Sequence, residues 1–319
     1  MSPRRRPGKR ILKWLLPILL VPALVLVAVL GWIVYSVTHP TRRAYLVTPE
    51  SFAQLSNRKA TNETWRNHDG TEARGWLLRG IPGAPAIILL HRYDADRSWL
   101  LNLGVKLNET TNYTVLLPDL RGHGLDPPVA WTSFGTREAD DVIAALEFLR
   151  TLKTPQEQPL LGKTAGLYGV ELGGYTALRA AAREQSVRAL ALDSVPAAPN
   201  DMLRMAVRER TGLDNGFLQW LVRGGTRFYF FGNYDNLANC ENASTLADRR
   251  ILLLAGDDAI SFRDSTVALA GCFPQGSSVE VKSDLARTGF NITSATGEQS
   301  EAYDRRVIDF FDRALRPAQ

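Results

Sequence analysis

Apolar residues recur along the chain in short continuous runs separated by stretches of helical periodicity. Residues 85–90, 113–117, 187–192 and 251–255 are apolar almost throughout and too short for helices, which is the pattern of strands buried on both faces. Residues 279–281 predict a last strand. Between these runs, residues 137–151 place Val142, Ile143, Leu146 and Leu149 at helical spacing with Asp140, Asp141 and Glu147 between them, an amphipathic helix. Residues 98–107 predict a further helix. A closing helix over 301–315 puts Tyr303, Val307, Phe310, Phe311 and Leu315 on one face. Alternation of this kind predicts an α/β fold, a mostly parallel sheet with helices on both faces. Ahead of it, Asp69-Gly70 marks a turn, with residues 71–78 as the returning strand of an antiparallel pair.

The longest apolar run lies elsewhere. From residue 14 to residue 35 there is no charged side chain, and a helix over that stretch is about 33 Å long, enough to cross a hydrocarbon core of about 30 Å. Pro17 and Pro22 fall near its start, and Trp14, Trp32 and Tyr35 are placed as interfacial anchors. Arg4, Arg5, Arg6, Lys9, Arg10 and Lys13 precede it, against only Arg42 and Arg43 after it. This imbalance predicts a cytoplasmic N-terminus, with everything after about Thr38 outside the cytoplasm. A cleaved signal peptide would need a shorter apolar region and a small-x-small cleavage site, which the exit through Trp32 and Tyr35 fits poorly. The chain therefore divides into a cytoplasmic basic segment (1–13), a transmembrane helix (14–36), a connector with the start of the first strands (37–70) and a globular domain (71–319). The anchor is expected to add nothing to the domain's core.

Composition changes this picture only slightly. The formal charge of +5 comes from 38 basic and 33 acidic residues, and the six basic residues before the apolar run account for it, leaving 32 against 33. The globular part therefore carries no footprint for nucleic acid. No His, Cys, Asp or Glu spacing matches a structural zinc site, and no phosphate-binding or dinucleotide-binding glycine loop is present, so neither metal nor cofactor is expected. Cys240 and Cys272 flank the predicted strand at 251–255; they form either a disulfide or a pair of buried thiols. Five N-x-S/T triplets begin at Asn62, Asn108, Asn112, Asn242 and Asn291.

The informative stretch is residues 166–182, a buried strand, a glycine-flanked turn and an Ala-rich helix. Its centre, Gly169-Val170-Glu171-Leu172-Gly173, has the spacing of a nucleophile elbow, G-x-S-x-G, in which glycines let a strained strand-to-helix turn close. Leu120-Arg121-Gly122-His123-Gly124 directly follows the strand ending at Asp119. Together these motifs resemble the α/β-hydrolase fold family over roughly residues 71–315. The resemblance implies an oxyanion region formed by Arg92, Tyr93 and Leu172, where Arg92 replaces the usual glycine after His91. It also implies a lid at about 195–249, where the alternation breaks. Phe217, Trp220, Phe228, Tyr229, Phe230, Phe231 and Tyr234 fall there and either pack the lid onto the domain or line an apolar groove.

The chemistry of the family departs here at its centre. The nucleophile position holds Glu171, the late histidine position holds Thr288, and the acid is Asp258 or its neighbour Asp257. A serine hydrolase of this fold needs a histidine to deprotonate its hydroxyl, in the chain order Ser, acid, His. All four histidines (His39, His68, His91, His123) precede the elbow. Two readings follow. One is a membrane-tethered, extracytoplasmic pseudoenzyme that binds or scaffolds; the other is a hydrolase with a rearranged site built on Glu171, Asp258 and His91 or His123. Glu171, at a helix N-terminus and away from water, is expected to pair with Arg92 first or with Arg287, and otherwise with protonated His91 or His123.

Overall fold

The computed structural model describes residues 8–52 and 60–316. Eight strands form one sheet in the order β1-β2-β4-β3-β5-β6-β7-β8. The first two, β1 (Ala60–Arg66) and β2 (Glu72–Leu78), are antiparallel and join β4 (Thr114–Pro118) through an antiparallel pairing. The remaining strands, β3 (Ala84–Leu90), β5 (Leu161–Val170), β6 (Val187–Asp193), β7 (Arg250–Gly256) and β8 (Ser278–Leu285), run parallel to β4 and one another. Every residue of β3 and β4 is buried, which is why these strands read as continuous apolar runs.

Helices cover both faces. On one, α3 (Leu101–Thr111) and α10 (Gly297–Leu315) bury Leu103, Leu107, Val307 and Phe311 against β3, β4 and β5. On the other, α4 (Thr136–Thr151) and α5 (Leu172–Ala181) bury Val142, Leu146, Leu149 and Leu178. Between β6 and β7 the chain leaves the sheet to form α6 (Pro199–Thr211), α7 (Gly216–Tyr229) and α8 (Asn239–Ala243), the lid region. A disulfide from Cys240 to Cys272 ties α8 to the segment after α9 (Ile260–Ala268), resolving the alternatives left by the sequence. Of the N-x-S/T asparagines, Asn108 and Asn242 are buried, and the Asn108 amide is spent on the Tyr113 carbonyl at 2.7 Å.

The apolar N-terminal run is a helix, α1 (Gly8–Thr38), followed by a one-turn helix, α2 (Pro49–Phe52). Ile18 through Val29 are solvent-exposed, and the segment Ile18–Thr38 is long and apolar enough to cross a membrane. The last turns of α1 behave differently from the expectation. Ile33, Val34, Val37 and Thr38 are buried in contact with α6 and α7, and the first three belong to the domain's core. The Thr38 carbonyl accepts the Thr132 N–H at 2.8 Å. Leu30, Ile33, Val34 and Val37 form one stripe at helical spacing, but in a helix apolar all round that stripe has no contrast to reveal it.

Candidate functional site

The elbow lies where β5 passes into α5. Glu171 has φ 50° and ψ −104°, a strained backbone for a residue with a side chain. The turn closes because its flanks are glycines: a Cβ on Gly169 would lie 2.2 Å from the Gly173 carbonyl, and one on Gly173 the same distance from that of Leu90. The Glu171 N–H donates to Asp193 O at 2.9 Å, and the Glu171 carbonyl accepts from Tyr175 N–H at 2.9 Å to open the helix.

The Glu171 side chain is fully buried. Its Oε2 accepts the backbone N–H of Tyr93 at 2.7 Å. The Leu172 N–H faces the same carboxylate and favours its charged form, although Oε1 has no well-aligned hydrogen-bond partner. An N–H after the nucleophile and an N–H from the loop after β3 are the two donors of an oxyanion hole in this kind of turn. Here the elbow's own carboxylate sits against them. Burial pushes the Glu171 carboxyl up to about 7, the two N–H groups and the Arg92 charge opposing that rise.

The expected ion pair does not form. Neither Arg92 nor Arg287 reaches Glu171 at ion-pair distance. The Arg92 guanidinium is held between the rings of Trp99 and Phe290, at 5.0 and 4.8 Å from their centres, and Nη1 donates to the Tyr93 carbonyl at 3.3 Å. Two aromatic faces hold the cation away, and backbone donors do the local work of stabilising the carboxylate.

The other two triad positions do meet. The Asp258 Oδ2 accepts from both the backbone N–H and the hydroxyl of Thr288, each at 3.1 Å. Asp258 is thus the acid that faces position 288, while Asp257 turns outward to Arg263 at 2.6 Å. Threonine has no basic nitrogen, so the pair can orient a hydroxyl and cannot take up a proton near neutrality. No hydrogen bond joins it to Glu171.

The two upstream histidines are committed elsewhere. His91 Nε2 accepts the Leu120 N–H at 3.0 Å, which makes Nδ1 the protonated nitrogen, donating to Arg92 O at 2.8 Å. His123 Nδ1 faces the Arg121 carbonyl at 2.9 Å, and the two rings stand edge to face, 5.1 Å apart. Burial holds His91 down to about 4 and His123 to about 3, so both are neutral. Neither makes a hydrogen bond to Glu171; they brace the loops after β3 and β4.

A second buried network, unread in the sequence, lies behind Thr288. Asp193, at the end of β6, accepts from the Ser194 hydroxyl at 2.6 Å, from the Gly289 N–H at 2.7 Å and from Tyr303, whose hydroxyl also meets that of Tyr168 at 2.8 Å. Burial raises Asp193 to about 6. Its partners come from the chain just after β6, from the turn after β8 and from α10, so only the strand-terminal Asp-Ser pair could have hinted at it.

The chain's own N-terminal connector packs on the loops after β3 and β4. Asp94 accepts from Thr41 N–H at 2.7 Å, from Arg43 at 2.9 Å and from Arg210 of α6 at 3.4 Å. Tyr45 donates to Asp119 at 2.7 Å. A cavity of about 230 Å³ lies beside the 119–124 loop and is lined by Tyr45, Arg97, Asp119, Arg121 and His123 among others; Glu171 and Thr288 are not in its wall.

Comparison with known proteins bears on the fold. The chain is 29% identical over 122 residues to the thiohydrolase aneE of Aspergillus aculeatus, a match covering 38% of this chain and 36% of that protein's length. Among solved structures it is similar to the Pyrococcus furiosus esterase Pf2001, with a TM-score of 0.63 at 17% identity over 87% of this chain and 98% of that one. It is also similar to the alpha/beta hydrolase GrgF of a Penicillium species, with a TM-score of 0.58 at 17% identity over 80% and 99%. At such identities the structural likeness concerns the fold alone. The sequence pattern of the alpha/beta hydrolase family matches residues 81–274; the chain belongs to that family.

Proposed function

We propose that this protein is a membrane-anchored, extracytoplasmic member of the family whose catalytic centre has been closed, and that it serves as a binding or scaffolding module. The observation that carries the reading is the 2.7 Å hydrogen bond from Tyr93 N–H to the Glu171 carboxylate. A hydrolase must hold a substrate oxygen on those donors as charge develops; here the place is taken by a side chain. Thr288 in the base position supports the same conclusion. So does the use of both nitrogens of His91 in bracing backbone, since a base acting with Glu171 would need one of them free. The retained anchor is supported by the burial of Ile33, Val34 and Val37 in the core, because cleavage beyond them would strip apolar groups from the domain. The basic N-terminal flank and the Cys240–Cys272 disulfide support an extracytoplasmic domain.

The test is fluorophosphonate labelling of the full chain in nanodiscs, with turnover assays on short-chain esters. Thioesters belong in the panel because of the thiohydrolase relative. Neither labelling nor turnover above background is expected. A labelled peptide containing Ser194 or another serine would overturn the reading.

A further inference from the structure

We infer that the lid helix α7 is a membrane-docking element that lays the domain on the outer face of the bilayer. The inference rests on the reading of α1 as a membrane-spanning helix, and the depth of α1 is what commits α7 to lipid. Starting at Trp14, the first residue after Lys13, about 20 residues are needed to cross roughly 30 Å of hydrocarbon. That count reaches Ile33. Yet α1 already packs on α7 at this level: a Cβ on Gly225 would lie 2.9 Å from Val34 and 3.8 Å from Leu30. Trp32 and Tyr35, the exposed aromatics that mark the outer interface, stand at the same height. His39 stacks on Tyr35 at 3.9 Å and meets Tyr229 of α7 edge-on at 6.2 Å. Tilting α1 lengthens its path through the bilayer and draws α7 deeper.

The composition of α7 fits that depth. Phe217, Trp220 and Phe228 are 66%, 67% and 79% exposed, and Phe231, just past the helix, is 88% exposed. Residues 217, 220, 224 and 228 fall on one helix face. The opposite, buried face carries Gln219, Val222 and Thr226, and neither the Gln219 amide nor the Thr226 hydroxyl has a hydrogen-bond partner. The helix is therefore turned aromatic side out and polar side in, the reverse of a lid facing water. Arg223 and Arg227 flank the aromatic stripe and are exposed, placed for lipid phosphates while the rings enter the interface.

Spin labelling in proteoliposomes tests this. Both native cysteines are in the disulfide, so introduced cysteines label selectively. Labels at Phe217→Cys and Phe228→Cys are compared with Val27→Cys in α1 and with Ala302→Cys, exposed on α10 across the sheet. Expected is preferential collision with oxygen over a water-soluble nickel chelate at positions 27, 217 and 228, several-fold above position 302. Adding Trp220→Glu and Phe228→Glu should shift the label at 217 toward the aqueous reagent and leave that at 27 in lipid. If 27 lies in lipid while 217 and 228 match 302, docking is overturned and the anchor stands. If 27 itself is aqueous, both fall. Labels at 217 and 228 shielded from both reagents would assign the face to a protein partner and overturn the inference.

Discussion

The hydroxyl of Tyr93 donates to the carbonyl of Val37 at 2.8 Å. The backbone N–H of the same tyrosine holds the Glu171 carboxylate. One residue therefore joins the end of α1 to the elbow, and the last turns of α1 are part of the structure that shapes the site.

That link predicts the outcome of truncation. A chain beginning at residue 40 loses Ile33, Val34 and Val37 from the core, and full burial of such a side chain stabilises by about 1.5–3 kcal/mol. The sum is comparable with the whole net stability of a domain, about 5–15 kcal/mol. The chain from residue 40 should melt far below one from residue 30, or aggregate. Matching thermal transitions for the two would refute this account of α1.

The charge state of Glu171 gives a second prediction. Its carboxyl lies near 7 in the folded protein and about 4.3 in an unfolded chain, so between these values the folded state holds the proton that the unfolded state releases. Stability contributed by the neutral form is present below about pH 4 and is lost as pH rises to 7. Glu171→Gln keeps an acceptor for Tyr93 and removes the titration. Between pH 4.5 and pH 8 the variant should gain on the parent, by on the order of 3 kcal/mol. Denaturant titrations at the two pH values measure the difference, and comparing variant with parent cancels the titrations of His91, His123 and Asp193. A constant offset would place Glu171 outside the buried environment described here.

The disulfide carries a third. It closes a loop with a sequence separation of 32 residues, for which the chain-entropy account gives roughly 3–4 kcal/mol. Cys240→Ser with Cys272→Ser should lower the melting temperature and expose the lid around α8 to proteolysis before the sheet. Unchanged melting under reducing conditions would show that the lid is held by packing alone.

Much of this was legible in the sequence, and the gaps have physical reasons. The strands read correctly because β3, β4 and the ends of β5 to β7 are buried on both faces, and the elbow read because only glycine fits at 169 and 173. An acid after β7 was legible through the family resemblance, but the choice of Asp258 over Asp257 was not, because two adjacent aspartates differ only in which way the turn points them. The partner of Glu171 was not legible either. A carboxylate and two arginines suggest an ion pair, but the donors that answer it are backbone N–H groups, which every residue carries and no sequence distinguishes. The aromatic cage that diverts Arg92 is built from Trp99 and Phe290, 191 positions apart in the chain, and becomes visible only when β8 closes beside β7.

The last prediction asks whether the site can be reopened. Glu171→Ser removes the carboxylate from the Tyr93 and Leu172 N–H groups and supplies a hydroxyl, but leaves it without a base. That variant should stay inactive toward esters. Thr288 receives two hydrogen bonds' worth of orientation from Asp258, through its N–H and its hydroxyl at 3.1 Å, so a histidine at 288 would have its acid partner in place. The double variant Glu171→Ser, Thr288→His should therefore gain fluorophosphonate labelling and slow hydrolysis of the smallest acyl esters, acetates before longer chains, because the site is buried and the connector at Thr41 and Arg43 lies over Asp94. Loss of single members of a triad costs about 10⁴–10⁶ in turnover, and the gap between double and single variants should fall within that scale or below it. Robust hydrolysis by Glu171→Ser alone would mean that His91 or His123 reaches the elbow. The closed-site reading would then give way to a rearranged catalytic centre.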